Sequence, residues 1–150
     1  MHNTLAASDY GLLDERTLAP RPNYWGALLW RKLMGSGVLD SGVAHQAGFH
    51  VYAHCQRGTR GGVGVLVINS DVNASRILTV HSALERYTLD AVDLRDGTVR
   101  LNGRTLQLRA TDDLPPITGE QIPLGALTFA PLTITFLAFP KAANSACQNP

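Results

Sequence analysis

The side chains best suited to holding a metal ion are the imidazoles of five histidines. Two of them, His50 and His54, fall on the same face of a predicted strand with the sequence "FHVYAHC". Four residues of a strand span about 13 Å, whereas each ligand of a zinc ion lies about 2 Å from the metal. The spacing therefore predicts outward-facing polar residues, and we expect neither a metal nor another cofactor in this chain.

Carboxylates could serve as the acid and the nucleophile of a glycosidase if two of them faced one cleft. The glutamates are Glu15, Glu85 and Glu120, and the last two fall in predicted strand edges or loops. No serine lies in a G-x-S-x-G turn, and neither cysteine stands at the start of a predicted helix. The sequence thus predicts no catalytic residue in this chain.

A glycine-rich stretch, "GTRGGVG" at residues 58–64, superficially resembles a phosphate-binding loop. Such a loop needs a helix after it, so that the helix N-terminus meets the phosphate. Here a predicted strand follows, which favours a hairpin connection. Arg57 and Arg60 could contact an anionic glycan, but a solvated basic loop is the simpler interpretation.

Two features bear on the cellular compartment. Asn73-Ala74-Ser75 is an N-glycosylation acceptor pattern in a predicted turn. The two cysteines, Cys55 and Cys147, fit no metal-binding or redox spacing. They are either two buried thiols or one long-range disulfide, and a disulfide together with the acceptor pattern would favour a secreted protein.

Composition limits the class of protein. Of the 150 residues 45% are hydrophobic, which is enough for a core, and 13 basic residues nearly balance 12 acidic ones. A net charge of +1 gives no strong field to recruit nucleic acid or an anionic membrane. The longest apolar run, "LTFAPLTITFLAF", is interrupted by Pro131 and predicts a pair of buried strands, so we expect no transmembrane segment. Residues 1–20 show no signal-peptide pattern.

The elements that would position any site are one helix and a series of strands. The helix is predicted over "RPNYWGALLWRKLMG", residues 21–35, with Pro22 in its first turn and Gly35 as a left-handed cap. It is apolar around most of its circumference, and leaving an aromatic side chain exposed forfeits about 2–3 kcal/mol of burial. We therefore expect Trp25 and Trp30 to be covered by polypeptide outside this chain.

After Gly37 the apolar residues recur with period two, as in a half-buried strand. Phe49 to Cys55 alternate between an inward and an outward face, and Asn102-Gly103 is the favoured two-residue hairpin turn. About eight short strands with regularly spaced turns predict a mainly β protein built as an antiparallel β-sandwich. The change of pattern places a boundary in "SGVLDSG", residues 36–42.

The order of several segments resembles a known family. "DYGLLDERTLAPRPNYWGALLWRKLMG", "HVYAHC", "GVGVLVIN", "VRLNGRTL", "DDLPPI" and "APLTITFLAFP" are similar, in this order, to the C-terminal part of heparanase and the plant-type heparanase-like proteins. These are β-glucuronidases of glycoside hydrolase family 79. The resemblance extends from about residue 3 to residue 147.

The resemblance implies a fold larger than this chain. Family members combine a (β/α)8 barrel with a β-sandwich, so residues 1–36 would hold the last barrel strand, over residues 4–13, its loop and the last barrel helix. Residues 37–150 would form the C-terminal β-sandwich domain. Family members are retaining hydrolases whose two catalytic glutamates, and one strand of the sandwich, lie upstream. The expected partners are thus a missing N-terminal barrel segment or subunit and a glucuronate-containing glycan, and the chain alone is expected to be inactive.

The resemblance also implies roles for individual residues. Ser8, Asp9 and Tyr10 match the positions that bind the sugar carboxylate, and Tyr10 could donate its phenol hydrogen to that group. Serine at position 8 replaces the usual glycine. Cys55 and Cys147 match a disulfide of the sandwich, which implies an oxidising location: secreted or extracellular, or a lysosome or vacuole, with peripheral membrane association left open. The alternative is a stand-alone, non-catalytic β-sandwich module that binds carbohydrate or protein.

Overall fold

The computed structural model describes residues 5–6, 10–95 and 97–148. Within this part of the chain one α-helix is followed by ten strands and a short 3-10 helix at Ser145–Cys147. The elements are α1 (Pro22–Leu33), β1 (Met34–Leu39), β2 (Phe49–Gln56), β3 (Val63–Asn69), β4 (Arg76–Val80), β5 (Leu84–Asp90), β6 (Arg100–Leu101), β7 (Arg104–Thr105), β8 (Glu120–Ile122), β9 (Gly125–Phe129) and β10 (Thr133–Phe139).

Two antiparallel sheets contain these strands. The large sheet has the order β1-β2-β3-β10-β5-β6-β7, with β8 paired to β5, and the small sheet pairs β4 with β9. The last long strand, β10, lies at the centre, where Phe136 is opposite Leu66 of β3 and Tyr87 of β5. The chain is therefore mainly β with antiparallel pairing, as predicted.

One core lies between the two sheets. The inward face of β2 contributes Phe49, whose ring centroid is 6.0 Å from that of Phe129 on β9. Val67 and Leu137 of the large sheet and Leu127 of the small one are buried in the same cluster. The alternation predicted for β2 is confirmed, because Phe49, Ala53 and Cys55 are all buried on this side.

The helix covers the opposite face of the large sheet. Trp25, Leu29 and Leu33 form its buried stripe, and they pack with Tyr87 and Phe136. The expectation that both tryptophans need cover from outside the chain is wrong for Trp25, which is 3% exposed. Trp30, by contrast, is 40% exposed, so for this residue cover by polypeptide outside the chain stays a prediction.

The helix ends earlier than predicted. It stops at Leu33, and the chain turns into β1 at Met34 with extended dihedral angles. Gly35 lies within β1 and has no positive φ, so its predicted role as a left-handed cap is wrong. A Cβ on Gly35 would lie 2.6 Å from the carbonyl oxygen of Cys55. Glycine is needed there for the close approach of β1 to β2.

The apolar run at residues 127–139 forms two strands that belong to different sheets. β9 lies in the small sheet and β10 in the large one, so they are not paired with each other. Asn69, only 1% exposed, joins the layers here, because its Nδ2 lies 2.9–3.1 Å from the carbonyl oxygens of Ala74, Phe129 and Ala130. A buried amide with these partners fixes the crossing between the sheets.

Both predicted turns are confirmed. Asn102 and Gly103 have φ of 49° and 77° between β6 and β7, as a type I′ turn requires. Residues 57–62 connect the antiparallel pair β2 and β3, so the glycine-rich stretch is a hairpin connection. In the described residues we find no helix with the length and apolar character needed to cross a bilayer.

Candidate substrate-binding rim

Tyr10 lies at the N-terminal end of the helix and faces solvent. Its side chain is 64% exposed, and its carbonyl oxygen accepts a hydrogen bond from Nδ2 of Asn23 at 3.3 Å. Residues 10–21, which we call the rim loop, run from Tyr10 to the start of α1. The phenol is thus accessible to solvent, while the backbone of Tyr10 is attached to the helix.

Asp14 organises the rim loop. Its Oδ1 accepts hydrogen bonds from the backbone N–H groups of Arg16 and Thr17 and from the Thr17 hydroxyl, at 2.9–3.1 Å. Its Oδ2 forms an ion pair with Arg21 at 3.2 Å. The Thr17 and Arg16 N–H groups, helped by the Thr17 hydroxyl and Arg21, hold the pKa of the Asp14 carboxyl far below its usual range.

We expect Asp14→Ala to loosen the rim loop, since the variant loses four contacts at once. Trypsin should then cleave after Arg16 at least about fivefold faster than in the original chain, because proteolysis follows local opening. The measurement is the rate of appearance of the cleaved fragments at neutral pH. Asp40→Ala, which removes a similar turn contact to Gly42, is the control and should leave this rate unchanged. Equal rates in Asp14→Ala and the original chain would contradict the role of Asp14.

The same carboxylate makes the rim loop sensitive to acid. A carboxyl whose pKa is lowered in the folded state stabilises it above the ordinary pKa of about 4 and loses that contribution as the pH falls. Cleavage of the loop by pepsin should therefore rise more steeply below pH 4 in the original chain than in Asp14→Ala, whose loop is already open.

The other two predicted rim residues, Ser8 and Asp9, lie outside the described residues. Residues 4 and 7–9 of the predicted barrel strand, residues 4–13, also lie outside the described residues, and in the described remainder Leu13 forms an isolated bridge with Pro20. Sequence reasoning missed Asp14, Arg21 and Asn23 as the residues that hold the loop. The signal was present in "DERT", because an aspartate three residues before a threonine is typical of a side-chain-capped turn.

The glutamates considered as glycosidase candidates differ in their surroundings. Glu15 is exposed in the rim loop. Glu85 accepts hydrogen bonds from the Tyr87 hydroxyl at 2.7 Å and from Gln121 at 3.1 Å. This contact and the burial of the ring raise the pKa of Tyr87 well above its usual value, with burial the larger cause. Glu85 is thus part of a structural contact between β5 and β8.

The two histidines of β2 each contact another ring. Nδ1 of His54 lies 2.9 Å from the carbonyl oxygen of Gly35, and its ring packs edge-on against Trp30 at 5.1 Å. His50 packs against His45 at 5.7 Å. No group of three or more metal-ligating side chains occurs among the described residues.

A cleft of about 400 Å³ lies between the two sheets. Leu78 and Val80 of β4 form one wall, and Val51 and Val65 of the large sheet form the other. The outer edge of β9 faces β5, where the Thr128 carbonyl accepts a hydrogen bond from Arg86. Leu78, Thr79 and Val80 of β4 line the cleft, and in the described part of the chain β4 has no strand partner other than β9.

Cys55 and Cys147 form a disulfide, with Cα atoms 5.3 Å apart. It ties the C-terminal 3-10 helix to β2 and closes a chain separation of 92 residues. Of the alternatives that the sequence left open, the structure shows the disulfide.

Comparison with known proteins gives several similar chains, although no family model matches. Baicalin-beta-D-glucuronidase of Scutellaria baicalensis is 34% identical over 98% of this chain and 29% of its own length. Heparanase-like protein 1 of Arabidopsis thaliana is 32% identical over 97% of this chain and 34% of its own length. Heparanase of Mus musculus is 32% identical over 94% of this chain and 29% of its own length.

The chain therefore spans only about a third of the length of these curated relatives. The likeness nevertheless runs through nearly all of its own residues, from the rim loop to the last strand. It confirms the resemblance to the C-terminal region of the heparanases and heparanase-like proteins, a family of glycoside hydrolases.

Proposed function

We propose that this chain is the C-terminal part of a retaining glycosidase that acts on β-glucuronides or glucuronate-containing polysaccharides. The supporting observation is its likeness, over nearly its whole length, to proteins named as glucuronidase and heparanase, of which it spans about a third. A retaining mechanism needs two carboxyl groups about 5 Å apart, and Glu85 is already bonded to Tyr87 and Gln121 in the sheet. In this proposal the catalytic glutamates are supplied by polypeptide upstream, which forms most of a (β/α)8 barrel.

In this proposal residues 1–36 complete the barrel and residues 37–150 form the sandwich. The rim loop enters helix α1 at its N-terminus, which is the end that lies at the catalytic face when a helix follows a barrel strand. Tyr10 donates its hydroxyl hydrogen to the glucuronate carboxylate, with Ser8 and Asp9 as its neighbours in the same segment. The exposure of the Tyr10 phenol supports this role.

Two surfaces are suited to the upstream polypeptide. The first, which we call the open flank, consists of Trp30, Val38 and Tyr52, which are 40%, 76% and 49% exposed. Val38 is directly opposite His54 in the sheet, and the His54 ring contacts Trp30, so these side chains form one continuous surface. Exposed apolar surface of this kind is typical of a site covered by a partner.

The second surface is the cleft beside β4. Its apolar walls and the edge of β4 that no described strand occupies are what an added antiparallel strand requires, since the edge supplies hydrogen bonds and the walls receive alternate side chains. We assign this place to the sandwich strand that the family resemblance expects from upstream.

A chimera tests the proposal. Here this chain replaces the matching C-terminal part of the Scutellaria glucuronidase, which it matches at 34% identity. We expect the chimera to hydrolyse an aryl β-glucuronide. The matched control is the same enzyme truncated at the junction, which should be inactive because its barrel is incomplete. Equal activity of the truncated enzyme and the chimera would contradict any contribution of this chain.

The chimera also tests Tyr10. Tyr10→Phe removes one hydrogen bond to a charged group, worth about 1.5–3 kcal/mol, so kcat/KM for the aryl glucuronide should fall about 10–100-fold. Hydrolysis of the uncharged aryl β-glucoside, measured in the same way, should hardly change. Tyr52→Phe is the control, because it removes the hydroxyl of another exposed tyrosine, on β2, and keeps the ring that belongs to the open flank. A Tyr10→Phe chimera with unchanged preference for the glucuronide would contradict the assignment.

We further propose that the parent protein is secreted or resides in a lysosome or vacuole. The disulfide supports an oxidising compartment. Asn73 is exposed in the turn before β4, where an oligosaccharide would meet no packed surface, and we propose it as a glycosylation site.

The alternative, a stand-alone sandwich module that binds carbohydrate or protein, is favoured by one observation. The helix packs on the chain's own sheet and buries Trp25, so these residues do not need a barrel to be ordered. The two proposals differ in solution behaviour. The stand-alone module should be monomeric at all concentrations, whereas a barrel-completing segment should self-associate through its open flank.

A further inference from the structure

We propose that the chain carries a second glycan-contacting surface, a basic patch that binds an acidic polysaccharide at the end of α1 opposite the rim loop. This inference rests on the proposed function, because the patch would anchor the same class of polymer, a uronate-containing polysaccharide, that the parent glycosidase is proposed to cleave. We call the patch the basic end. Its members are Arg31, Lys32, Arg57, Arg60 and Lys141, all of them exposed.

Backbone contacts bring these residues together from three separate segments. Arg31 and Lys32 are in the last turn of α1, and the N–H of Arg57 donates to the carbonyl oxygen of Leu33 at 3.0 Å. The hairpin that carries Arg57 and Arg60 thus begins at the end of the helix. On its other side the hairpin contacts the C-terminal segment. The N–H of Gly61 donates to the carbonyl oxygen of Cys147, and the carbonyl oxygen of Gly61 accepts from the N–H of Asn144.

Lys141 lies beside the same hairpin. Its strand, β10, ends at Phe139, which is paired with Val63, the first residue after the hairpin. Arg60 is held in place by a hydrogen bond from Nε to Oε1 of Gln148 at 2.9 Å. The helix end, the hairpin and the turn after β10 therefore present their cations at one end of the large sheet.

Among the described residues no ion pair neutralises the basic end. Within the described residues the ion pairs involve Arg21, Arg76 and Arg100, and none involves a member of the basic end. Glu85, on β5 opposite Ala138, is occupied by Tyr87 and Gln121. The chain has 13 basic and 12 acidic residues. The eight basic residues outside the patch are thus outnumbered by acidic ones, so the positive charge is concentrated at this end.

The geometry favours an extended polymer as ligand. Five exposed charges on three segments form no enclosed cradle, which a small anion would need, but they can meet charges that recur along a chain. The helix of 12 residues is about 18 Å long. Its N-terminus contacts Tyr10 and its C-terminus contacts Arg57. The basic end therefore lies well away from the rim loop, and it would retain a polymer without taking part in its cleavage.

Binding of the full chain to polygalacturonate tests this inference. This polyuronate has no β-glucuronide bond, so its binding does not depend on the proposed hydrolase activity. We expect binding at 50 mM salt that weakens steeply as salt is added, because exposed charges are screened. The triple variant Arg57→Gln, Arg60→Gln and Lys141→Gln should bind about tenfold more weakly or worse. Surface glutamines should leave the thermal midpoint close to that of the original chain.

The matched control removes the same charge elsewhere. Arg95, Arg104 and Arg109 are exposed and lie outside the basic end, and their triple replacement by glutamine should change affinity less than about twofold. Three results would overturn the inference: no binding of the original chain at 50 mM salt, equal weakening in both triple variants, or binding to phosphatidylserine vesicles but not to the polyuronate. Loss of activity in the chimera, by contrast, would refute the proposed function and leave this result standing.

Discussion

Replacing both Cys55 and Cys147 with alanine is expected to lower the free energy of unfolding by about 4–5 kcal/mol, the chain-entropy value for a long closed loop. The disulfide closes a separation of 92 residues and ties the end of the chain to β2. Without it, the C-terminal segment is attached to the hairpin mainly by the backbone contacts of Gly61. The measurement is equilibrium unfolding in guanidinium chloride, which gives the midpoint and slope of each protein.

A reducing agent provides the control for this experiment. Dithiothreitol should shift the unfolding midpoint of the original chain towards that of the double variant and should leave the double variant unchanged. Both half-cystines are buried, at 4% and 0% exposure, so some loss comes from packing as well as from the cross-link. A midpoint in the original chain that does not respond to reduction would contradict a stabilising role for the disulfide.

Trp25→Ala is expected to cost about 3–5 kcal/mol, whereas Trp30→Ala should cost about 1 kcal/mol or less. The two side chains are in one helix, but Trp25 is 3% exposed in the core beneath the helix and Trp30 is 40% exposed on the open flank. Deleting the first leaves a cavity against the large sheet. Deleting the second removes a surface contact with His54.

The two variants should also differ in association. Trp30→Ala should reduce self-association of the isolated chain, measured by sedimentation, because it removes apolar surface from the open flank. Trp25→Phe, which retains most of the buried ring, is the control for stability and should lie between the original chain and Trp25→Ala. Equal destabilisation by Trp25→Ala and Trp30→Ala would contradict the packing described for α1.

Local patterns in the sequence predicted local structure well. The alternation from Phe49 to Cys55 and the Asn102-Gly103 turn depend on neighbouring residues, and the structure confirms both. The predicted end of the helix was wrong because Gly35 does not cap the helix but lies in β1. The glycine is there for the approach of β1 to Cys55, a residue 20 positions away that no local pattern connects to it.

Contacts between distant segments were the part that the sequence could not predict. The run from Leu127 to Phe139 has the composition of two buried strands, but nothing in it indicates that they join different sheets. Trp25 was likewise assigned to an outside partner because the residues that pack in its cluster, among them Tyr87 and Phe136, lie more than 60 residues downstream. Tyr10 was found through the family resemblance, whereas Asp14, which holds its loop, could have been found from the turn pattern.

The initial rate of aryl β-glucuronide hydrolysis by the purified chain, measured beside the chimera, tests the central claim most directly. If the catalytic glutamates lie upstream, the chimera hydrolyses the substrate, and the chain alone gives only the background rate measured in buffer without protein. Hydrolysis by the chain alone, abolished by replacing Glu15, Glu85 or Glu120, would contradict the claim, because it would place the chemistry within these 150 residues.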